Sequence, residues 1–340
     1  MPGAFLLTPG CSVVKPLSAG ALVVRNTPWL RRFAGVVSVF EYCLYGASIA
    51  ADIPLFTRPG PPTVPISGSF QPVRLVELSH VKNLPALPIR HEFFQAHGRS
   101  LWLESDRGDE SICPGQAWQL TVEEVVSFGF VSGEPTVYYR LQGKGSRALL
   151  AFWFTHLFLP LYLTIERGYA FIHAAAVEVD EHPILFIAES TGGKSTLGDY
   201  FLKQGHPMLS DDKVATFLRG GQFYAAPSHP HHRPWRQFEV LGDPVEHFAT
   251  SAKPIHAFYL LERSDPLSPL EITEVTGFRK FEGLMPNYLF NFPFLLVQRL
   301  RWLAQLADQS LVFRVNRPWD LARMHEVYEG VCAHSRGLGG

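Results

Sequence analysis

The sequence has few charged residues and almost no net charge. Of its 340 residues 18% are charged, and 30 basic side chains stand against 31 acidic ones. Domains that bind nucleic acid usually carry a clustered excess of lysine and arginine, which neutralises phosphates. The balance here gives no indication of a nucleic-acid partner, so a protein or peptide partner has to be recognised locally.

Cysteine is scarce and unpaired. The four cysteines, Cys11, Cys43, Cys113 and Cys332, lie far apart, without the spacing of zinc ligands or of a disulfide scaffold. We therefore expect a protein of the reducing cytoplasm. Internal repeats and low-complexity tracts are also absent, while a hydrophobic content of 46% is ample for a packed core.

The first forty residues contain no acidic side chain but carry Lys15, Arg25, Arg31 and Arg32. They lack the apolar core and small-residue cleavage site of a signal peptide. We predict that residues 1–38 are a disordered extension or the product of a start codon placed too early. A targeting segment is the alternative interpretation.

Residues 39–147 show the period-two alternation of β-strands and predict a mostly β N-terminal lobe. Its function is either substrate recognition or that of a structural lid. The acidic turn with Asp106, Asp109 and Glu110 indicates a solvated hairpin rather than a metal loop. The predicted strands are 73–78, 90–94, 99–103, 117–122 and 136–141.

The longest apolar run, residues 148–165, has eighteen residues without a formal charge. It is short for a membrane span and contains Thr155, His156, Pro160 and Tyr162. We predict a buried helix, with His156 as a core histidine, and no membrane partner.

The most specific pattern begins at residues 184–188, an apolar run typical of a strand buried on both faces. It leads into a Walker A pattern with Ala188 in the first position. The paired glycines let backbone N–H groups curl around phosphate oxygens, Lys194 would reach the β- and γ-phosphates, and Ser195 would ligate Mg²⁺. The predicted nucleotide-binding residues are Glu189, Ser190, Thr191, Gly192, Gly193, Lys194, Ser195 and Thr196.

A helix over residues 196–203 and a strand over residues 208–212 are predicted next, and that strand ends in Asp211 and Asp212. Ligands of open α/β sheets bind at the carboxyl ends of strands, so both aspartates are expected to face the loop. One would serve the metal and the other proton transfer. Paired carboxylates raise one another's pKa, which suits a base near neutral pH.

These segments, HAAAV from His173, ESTGGKST from Glu189 and GHPMLSDDKV from Gly205, resemble the catalytic domain of HPr kinase/phosphorylase and its wider group of serine kinases. His173 lies twenty-one residues before Lys194 and Asp211 seventeen after it, which is the order and spacing of that family. The resemblance is specific over about 45 residues. Several such relatives phosphorylate precursors of ribosomally made peptides.

The resemblance implies an α/β chain, with an HPr-kinase-like P-loop domain over residues 148–333 beside the β lobe. It implies that Asp211 takes the proton from a substrate hydroxyl, that Asp212 is a Mg²⁺ partner and that His173 lies near the transferred phosphate. Two features depart from the family pattern. Thr196 stands where an acidic residue follows the loop serine, and the glycine- and arginine-rich signature loop is not found between residues 220 and 254.

Further along the chain, a proline-rich loop holds three histidines, His229, His231 and His232. Zinc binding is the weaker interpretation of this loop, because no carboxylate or cysteine completes the set locally. A loop crossing the nucleotide site, with an arginine that neutralises charge on the transferred phosphate, is the better functional interpretation. A solvated loop without a function is the alternative. Arg233, Arg236 and, at the end of a predicted strand over residues 255–261, Arg263 are the candidates for phosphate contact.

The rest of the chain predicts an edge strand over residues 271–275, helices over residues 277–289 and 293–306, and a strand over residues 311–315. Pro318 is expected to open a final helix that ends near residue 331. Residues 334–340 are rich in glycine and are predicted to be a disordered tail.

The sequence therefore predicts an ATP- and Mg²⁺-dependent kinase that phosphorylates a serine or threonine hydroxyl of a small protein or biosynthetic peptide. A small-metabolite kinase or an enzyme similar to phosphoenolpyruvate carboxykinase is one alternative. A nucleotide-binding sensor without catalysis is another, because of Thr196 and Ala188. An oligomer is possible, since HPr kinases are hexamers.

Overall fold

The computed structural model of this chain describes residues 39–57, 60–66, 70–78, 87–108, 112–189, 191–233 and 238–338. The predictions for residues 1–38 and for Asp109 and Glu110 lie outside the described residues. Residues 39–340 form one compact unit of mixed α/β structure.

The predicted β lobe is an eight-stranded sheet with the strand order β1-β2-β3-β8-β7-β6-β5-β4. Alternate residues are buried along β2 and β5, which is why their period-two pattern is visible in the sequence. In β7 all six residues are buried, so this strand carries no such pattern. The strands are β1 (Phe40–Leu44), β2 (Ala47–Ala51), β3 (Val73–Glu77), β4 (Ile89–Ala96), β5 (Arg99–Ser105), β6 (Ala117–Val122), β7 (Val126–Val131) and β8 (Thr136–Leu141).

The apolar run forms a continuous helical segment of α1 (Arg147–Trp153), a π-helical turn (Phe154–Phe158) and α2 (Leu159–Arg167). By length and composition it is the one helix among the described residues that could span a membrane, but 83% of its apolar window is buried inside the protein. Phe158 stacks on Phe128 of β7 at 4.4 Å. The prediction of a buried helix is confirmed. Since this helix shares one core with the preceding sheet, residue 147 does not divide two separate cores.

Three further sheets follow. The largest has the order β12-β10-β11-β18-β20-β19, and another has the order β17-β14-β13-β9. The strands are β9 (Ala170–His173), β10 (Ala175–Val179), β11 (His182–Ile187), β12 (Met208–Ser210), β13 (Lys213–Arg219), β14 (Gln222–Ala226), β15 (His231–His232), β16 (Asp243–Pro244), β17 (Lys253–Pro254), β18 (Ala257–Ser264), β19 (Glu271–Glu274) and β20 (Val312–Pro318).

The pairing in the six-stranded sheet sets the direction of its strands. Strand β10 is antiparallel to both β11 and β12, so β11 and β12 run parallel. Strand β18 is parallel to β11, and β20 is parallel to β18. The carboxyl ends of β12, β11, β18 and β20 therefore lie at one edge of the sheet, which is where α/β proteins place their ligands.

The remaining helices are α3 (Lys194–Lys203), α4 (Phe278–Leu284), α5 (Leu296–Gln309) and α6 (Met324–Gly337). The helix predicted over residues 277–289 is shorter than expected, because Pro286 lacks an N–H and α4 passes into a 3₁₀ turn at Met285–Asn287. The final helix begins later than predicted. Pro318 belongs to β20, and Asp320 caps a 3₁₀ turn, Leu321–Arg323, before α6 begins.

The prediction of a disordered tail from residue 334 is wrong for residues 334–337, which are the last turn of α6. His334 packs on Phe313 at 4.4 Å, and its Nδ1 lies 3.0 Å from the hydroxyl of Tyr259. The Ser335 carbonyl lies 3.0 Å from Nε2 of His256. These tertiary contacts stabilise a glycine-containing turn that composition alone does not predict.

Candidate functional site

The loop after β11 joins that strand to α3, as the Walker A pattern predicts. Lys194 is only 7% exposed, and its Nζ donates a 2.6 Å hydrogen bond to the Ala188 carbonyl. The Gly192 N–H donates to the Glu189 carbonyl at 2.9 Å, which closes a tight turn inside the loop. Ser195 and Thr196 lie in the first turn of α3, half-buried and exposed respectively. Ser190 lies outside the described residues.

Two positions in the loop require glycine. Gly193 has φ +81°, and a Cβ there would lie 2.5 Å from Nη2 of Arg317. A Cβ on Gly192 would lie 2.7 Å from the Cβ of Ala188 and 2.8 Å from the Glu189 carbonyl. At Gly192 this approach to backbone is closer than real Cβ atoms show, and at Gly193 the positive φ strains any side chain, so both positions favour glycine. The prediction that paired glycines shape this loop agrees with its geometry.

Asp212 lies between the imidazole of His173 and the ammonium group of Lys213. Its Oδ1 lies 3.1 Å from Nδ1 of His173, and its Oδ2 lies 2.7 Å from Nζ of Lys213. Burial alone would raise the pKa of Asp212, but Lys213 and His173 more than offset burial and hold that pKa well below its usual range. Asp212 is therefore ionised at neutral pH and suited to a cation.

Asp211 has a different set of partners. Its Oδ2 accepts a 2.8 Å hydrogen bond from the backbone N–H of Arg233. Its Oδ1 lies 3.2 Å from Nδ1 of His232, whose Nε2 lies 3.6 Å from Oδ1 of Asp199 on α3. Burial lowers the pKa of His232, but Asp211 and Asp199 outweigh it and raise that pKa overall. His232 thus links Asp211 to the helix that follows the loop.

The contacts of His232 with Asp199 and Asp211 place Asp211 near helix α3, which follows the loop. Asp199 lies five residues after Lys194 on α3, which is about 7.5 Å along a helix axis. Asp211 also follows β12, whose carboxyl end lies at the same edge as that of β11. The loop, Asp211 and Asp212 therefore lie at the same edge of the six-stranded sheet.

Two arginines lie beside the loop. Nη2 of Arg263 donates to the Thr191 carbonyl at 2.6 Å, and Nη2 of Arg317 donates to the Gly192 carbonyl. Both guanidinium groups pack over the indole of Trp319, at 4.0 and 4.8 Å. Burial, with a contribution from the charge of Arg263, lowers the pKa of Arg317 to about 10.

Of the three arginines predicted to contact phosphate, Arg263 lies beside the loop and Arg233 beside Asp211. The guanidinium group of Arg233 also packs over Phe152 at 5.6 Å. Arg236 lies outside the described residues. Sequence reasoning did not single out Arg317, Lys213 or Asp199, and it considered His232 only as a zinc ligand.

A polar pocket is lined by Asp211, Asp212 and the buried histidines His156 and His229. Their rings are 4.8 Å apart, and burial, aided by nearby positive charges, lowers the pKa of His229 to about 3. Both are therefore neutral core residues, as predicted for His156. Among the described residues no group of three or more histidine, cysteine, aspartate or glutamate side chains is arranged to hold a metal ion. The zinc interpretation of the histidine loop gains no support.

A scan against protein-family models finds no match for this chain, and a search of curated proteins finds none either. Among solved structures the chain is similar to the HPr(Ser) kinase/phosphatase from Coxiella burnetii. That match has 16% sequence identity and a TM-score of 0.32, and it covers 50% of this chain and 99% of that chain. The proposal that follows therefore rests on the geometry of the described residues.

Proposed function

We propose that this chain is a cytoplasmic kinase that transfers the γ-phosphate of ATP to a serine or threonine hydroxyl of a small protein or biosynthetic peptide. The observation that carries the proposal is the convergence of the glycine-shaped loop, Asp211 and the His173–Asp212 pair at one edge of the six-stranded sheet. Phosphoryl transfer depends mainly on positioning and on neutralising charge, and these residue types provide both.

The loop and α3 would hold the nucleotide. Backbone N–H groups at the N-terminus of this ten-residue helix and the Lys194 ammonium group would face the β- and γ-phosphates. Gly192 and Gly193 let the loop keep its tight turn, because a Cβ at either position would meet other atoms of the protein. The residues present therefore fit a nucleoside triphosphate.

Magnesium fits the same region. The ionised Asp212 carboxylate and the Ser195 hydroxyl are the oxygen ligands that Mg²⁺ prefers. A bound Mg²⁺ would neutralise charge on the phosphates. His173 would orient Asp212 through its Nδ1–H, because both the Oδ1 and the carbonyl oxygen of Asp212 surround that nitrogen at 3.1 and 3.2 Å.

Asp211 would accept the proton of the substrate hydroxyl. The Arg233 N–H and His232 each engage one of its oxygens, and a carboxylate retains further lone pairs for an incoming O–H group. His232 and Asp199 would hold the carboxylate in place relative to α3. The chemistry is general base catalysis from a positioned carboxylate.

One observation favours a second candidate, a nucleotide-binding sensor without useful catalysis. Lys213 and His173 already occupy both carboxylate oxygens of Asp212, so a metal ion would have to compete with a lysine only 2.7 Å away. A protein that binds ATP through its loop and leaves Asp212 paired with Lys213 would bind nucleotide without transferring phosphate.

The proposal is tested by incubating the full chain with ATP and Mg²⁺, alone and with serine- and threonine-containing peptides encoded beside its gene. Phosphate on a peptide hydroxyl, located by mass spectrometry, is the expected result. ATP binding without transfer to any peptide or to a panel of small metabolites with hydroxyl groups would favour the sensor. Transfer to a metabolite alone would favour the small-molecule kinase.

A further inference from the structure

Arg263 and Arg317 are neighbours in the sheet. They are register partners on the parallel strands β18 and β20, and each strand ends one residue after its arginine. Both side chains pack on Trp319, which is 42% exposed. Two positive charges are therefore held side by side at the edge of the sheet where the loop lies.

Arg317 is a buried charge. It is 2% exposed, and its Nε is buried without a hydrogen-bond partner. Among the residues that the structure describes, no carboxylate forms an ion pair with Arg317 or with Arg263. A buried cation that is not neutralised is destabilising, and a second cation beside it adds repulsion. An anion bound nearby would relieve both effects.

The arginines also stand next to the phosphate loop itself. They donate to the carbonyls of two consecutive loop residues, Thr191 and Gly192. The C=O and N–H of a trans peptide point in opposite directions, so the bond from Arg317 to Gly192 turns the N–H of Gly193 toward the other face of the loop. Phosphate groups held by that N–H and by the arginines would therefore lie on the two faces of one short backbone segment, close enough for one polyphosphate chain to contact both.

We propose that Arg263 and Arg317, supported by Trp319, form a phosphate subsite that continues the loop site and binds the polyphosphate chain of the nucleotide. This inference rests on the proposed function, because it assumes that the loop binds a nucleotide. The ligand class is a nucleoside di- or triphosphate. A phosphate chain would reach both the loop and the arginine pair, whereas a single phosphate would contact only the loop or only the arginines.

The test measures binding of ATP and of inorganic tripolyphosphate by calorimetry to the full chain and to three variants. Arg317→Met and Arg263→Gln each remove one guanidinium group. Arg314→Gln is the matched control, because Arg314 lies on the same strand β20 but pairs with Glu262 at the surface. Lys194→Met is included as a variant of the loop alone.

We expect Arg317→Met to weaken both ligands by about tenfold or more, the range of a hydrogen bond to a charged group. Arg263→Gln should weaken both by a smaller factor because Arg263 is exposed, and Arg314→Gln should change neither. If circular dichroism shows that Arg317→Met does not fold, Arg263→Gln decides the test by itself.

The possible results separate the two proposals. Wild-type protein that binds neither ligand would overturn both. If the wild type binds ATP and Lys194→Met does not, while the arginine variants bind like the wild type, only the subsite is wrong. Weaker binding of ATP with unchanged binding of tripolyphosphate would also overturn the subsite, because the arginines would then contact the base or the ribose. The subsite proposal is also contradicted if the wild-type protein binds ATP but not tripolyphosphate.

Discussion

Nδ1 of His173 lies 3.1 Å from Oδ1 of Asp212, although the two residues are 39 positions apart in the chain. Strand pairing brings them together, because His173 on β9 is the register partner of Lys213 on β13. Lys213 follows Asp212 directly in the chain, and its ammonium group lies 2.7 Å from the other carboxylate oxygen. Asp212 therefore has one partner from its own strand connection and one supplied by antiparallel pairing.

Lys194→Met should weaken ATP binding strongly. Methionine retains most of the volume of the buried side chain but removes the ammonium group that would neutralise the phosphates. We expect at least a tenfold loss of affinity, the effect of losing a hydrogen bond to a charged group, by calorimetry. Lys144→Met, an exposed lysine paired with Glu124, is the control. Equal affinity of both variants for ATP would show that the loop does not hold the nucleotide.

Gly193→Ala should weaken ATP binding by about tenfold, because the new Cβ would meet Nη2 of Arg317 at 2.5 Å in a backbone conformation with φ +81°. Gly205→Ala is the matched control. Gly205 has a similar φ of +88°, but nothing lies within 4 Å of its Cβ position, so it shares the backbone strain of about 1 kcal/mol without the clash. Titration of both variants with ATP separates the loss of loop shape from general strain.

His232→Asn should destabilise the protein more in mild acid than in base. The pKa of His232 is raised in the folded state, so its stabilisation is fully present below the unfolded value near 6.5 and is lost as the pH rises through the folded pKa. We expect a loss of about 1–3 kcal/mol near pH 6 and a smaller loss near pH 8.5. Urea unfolding of the wild type and of His232→Asn at the two pH values measures this loss of unfolding free energy. A loss that is independent of pH would mean that His232 is not charged between Asp211 and Asp199.

Phe158→Ala should cost about 3–5 kcal/mol of unfolding free energy. Phe158 is fully buried and stacks on Phe128 at 4.4 Å, so its removal leaves a cavity between the helix and the eight-stranded sheet. Val297→Ala, at a position on α5 that is 60% exposed, should change stability by less than about 0.5 kcal/mol. A small effect of Phe158→Ala would contradict the close packing of this helix against the eight-stranded sheet.

The features that the sequence predicts are those encoded in short contiguous segments. Residues 184–196 specify a strand, a glycine-shaped loop and a helix start by local preferences alone. Asp211 and Asp212 follow a short apolar strand, so their position at a sheet edge is also predictable. The apolar run at 148–165 is long enough for its helical nature to be clear, and its polar members indicate burial in protein.

The features that the sequence does not predict depend on distant partners. Arg317 contacts Gly192 across 125 positions, and only the parallel pairing of β18 and β20 reveals that Arg263 is its neighbour. His232 and Asp199 lie on different elements, with no pattern that joins them. Strand β7 is missed because both its faces are buried, and the last turn of α6 is missed because its contacts to Phe313 and Tyr259 are tertiary.

The central claim is that the loop and Asp211 form one phosphoryl-transfer centre with separate roles. The most direct measurement compares Asp211→Asn with the wild type for both ATP affinity and phosphate transfer to a peptide acceptor. The account predicts ATP affinity within about twofold of the wild type and transfer reduced by about 100-fold or more, the usual contribution of a general base. Normal transfer by Asp211→Asn would contradict the account.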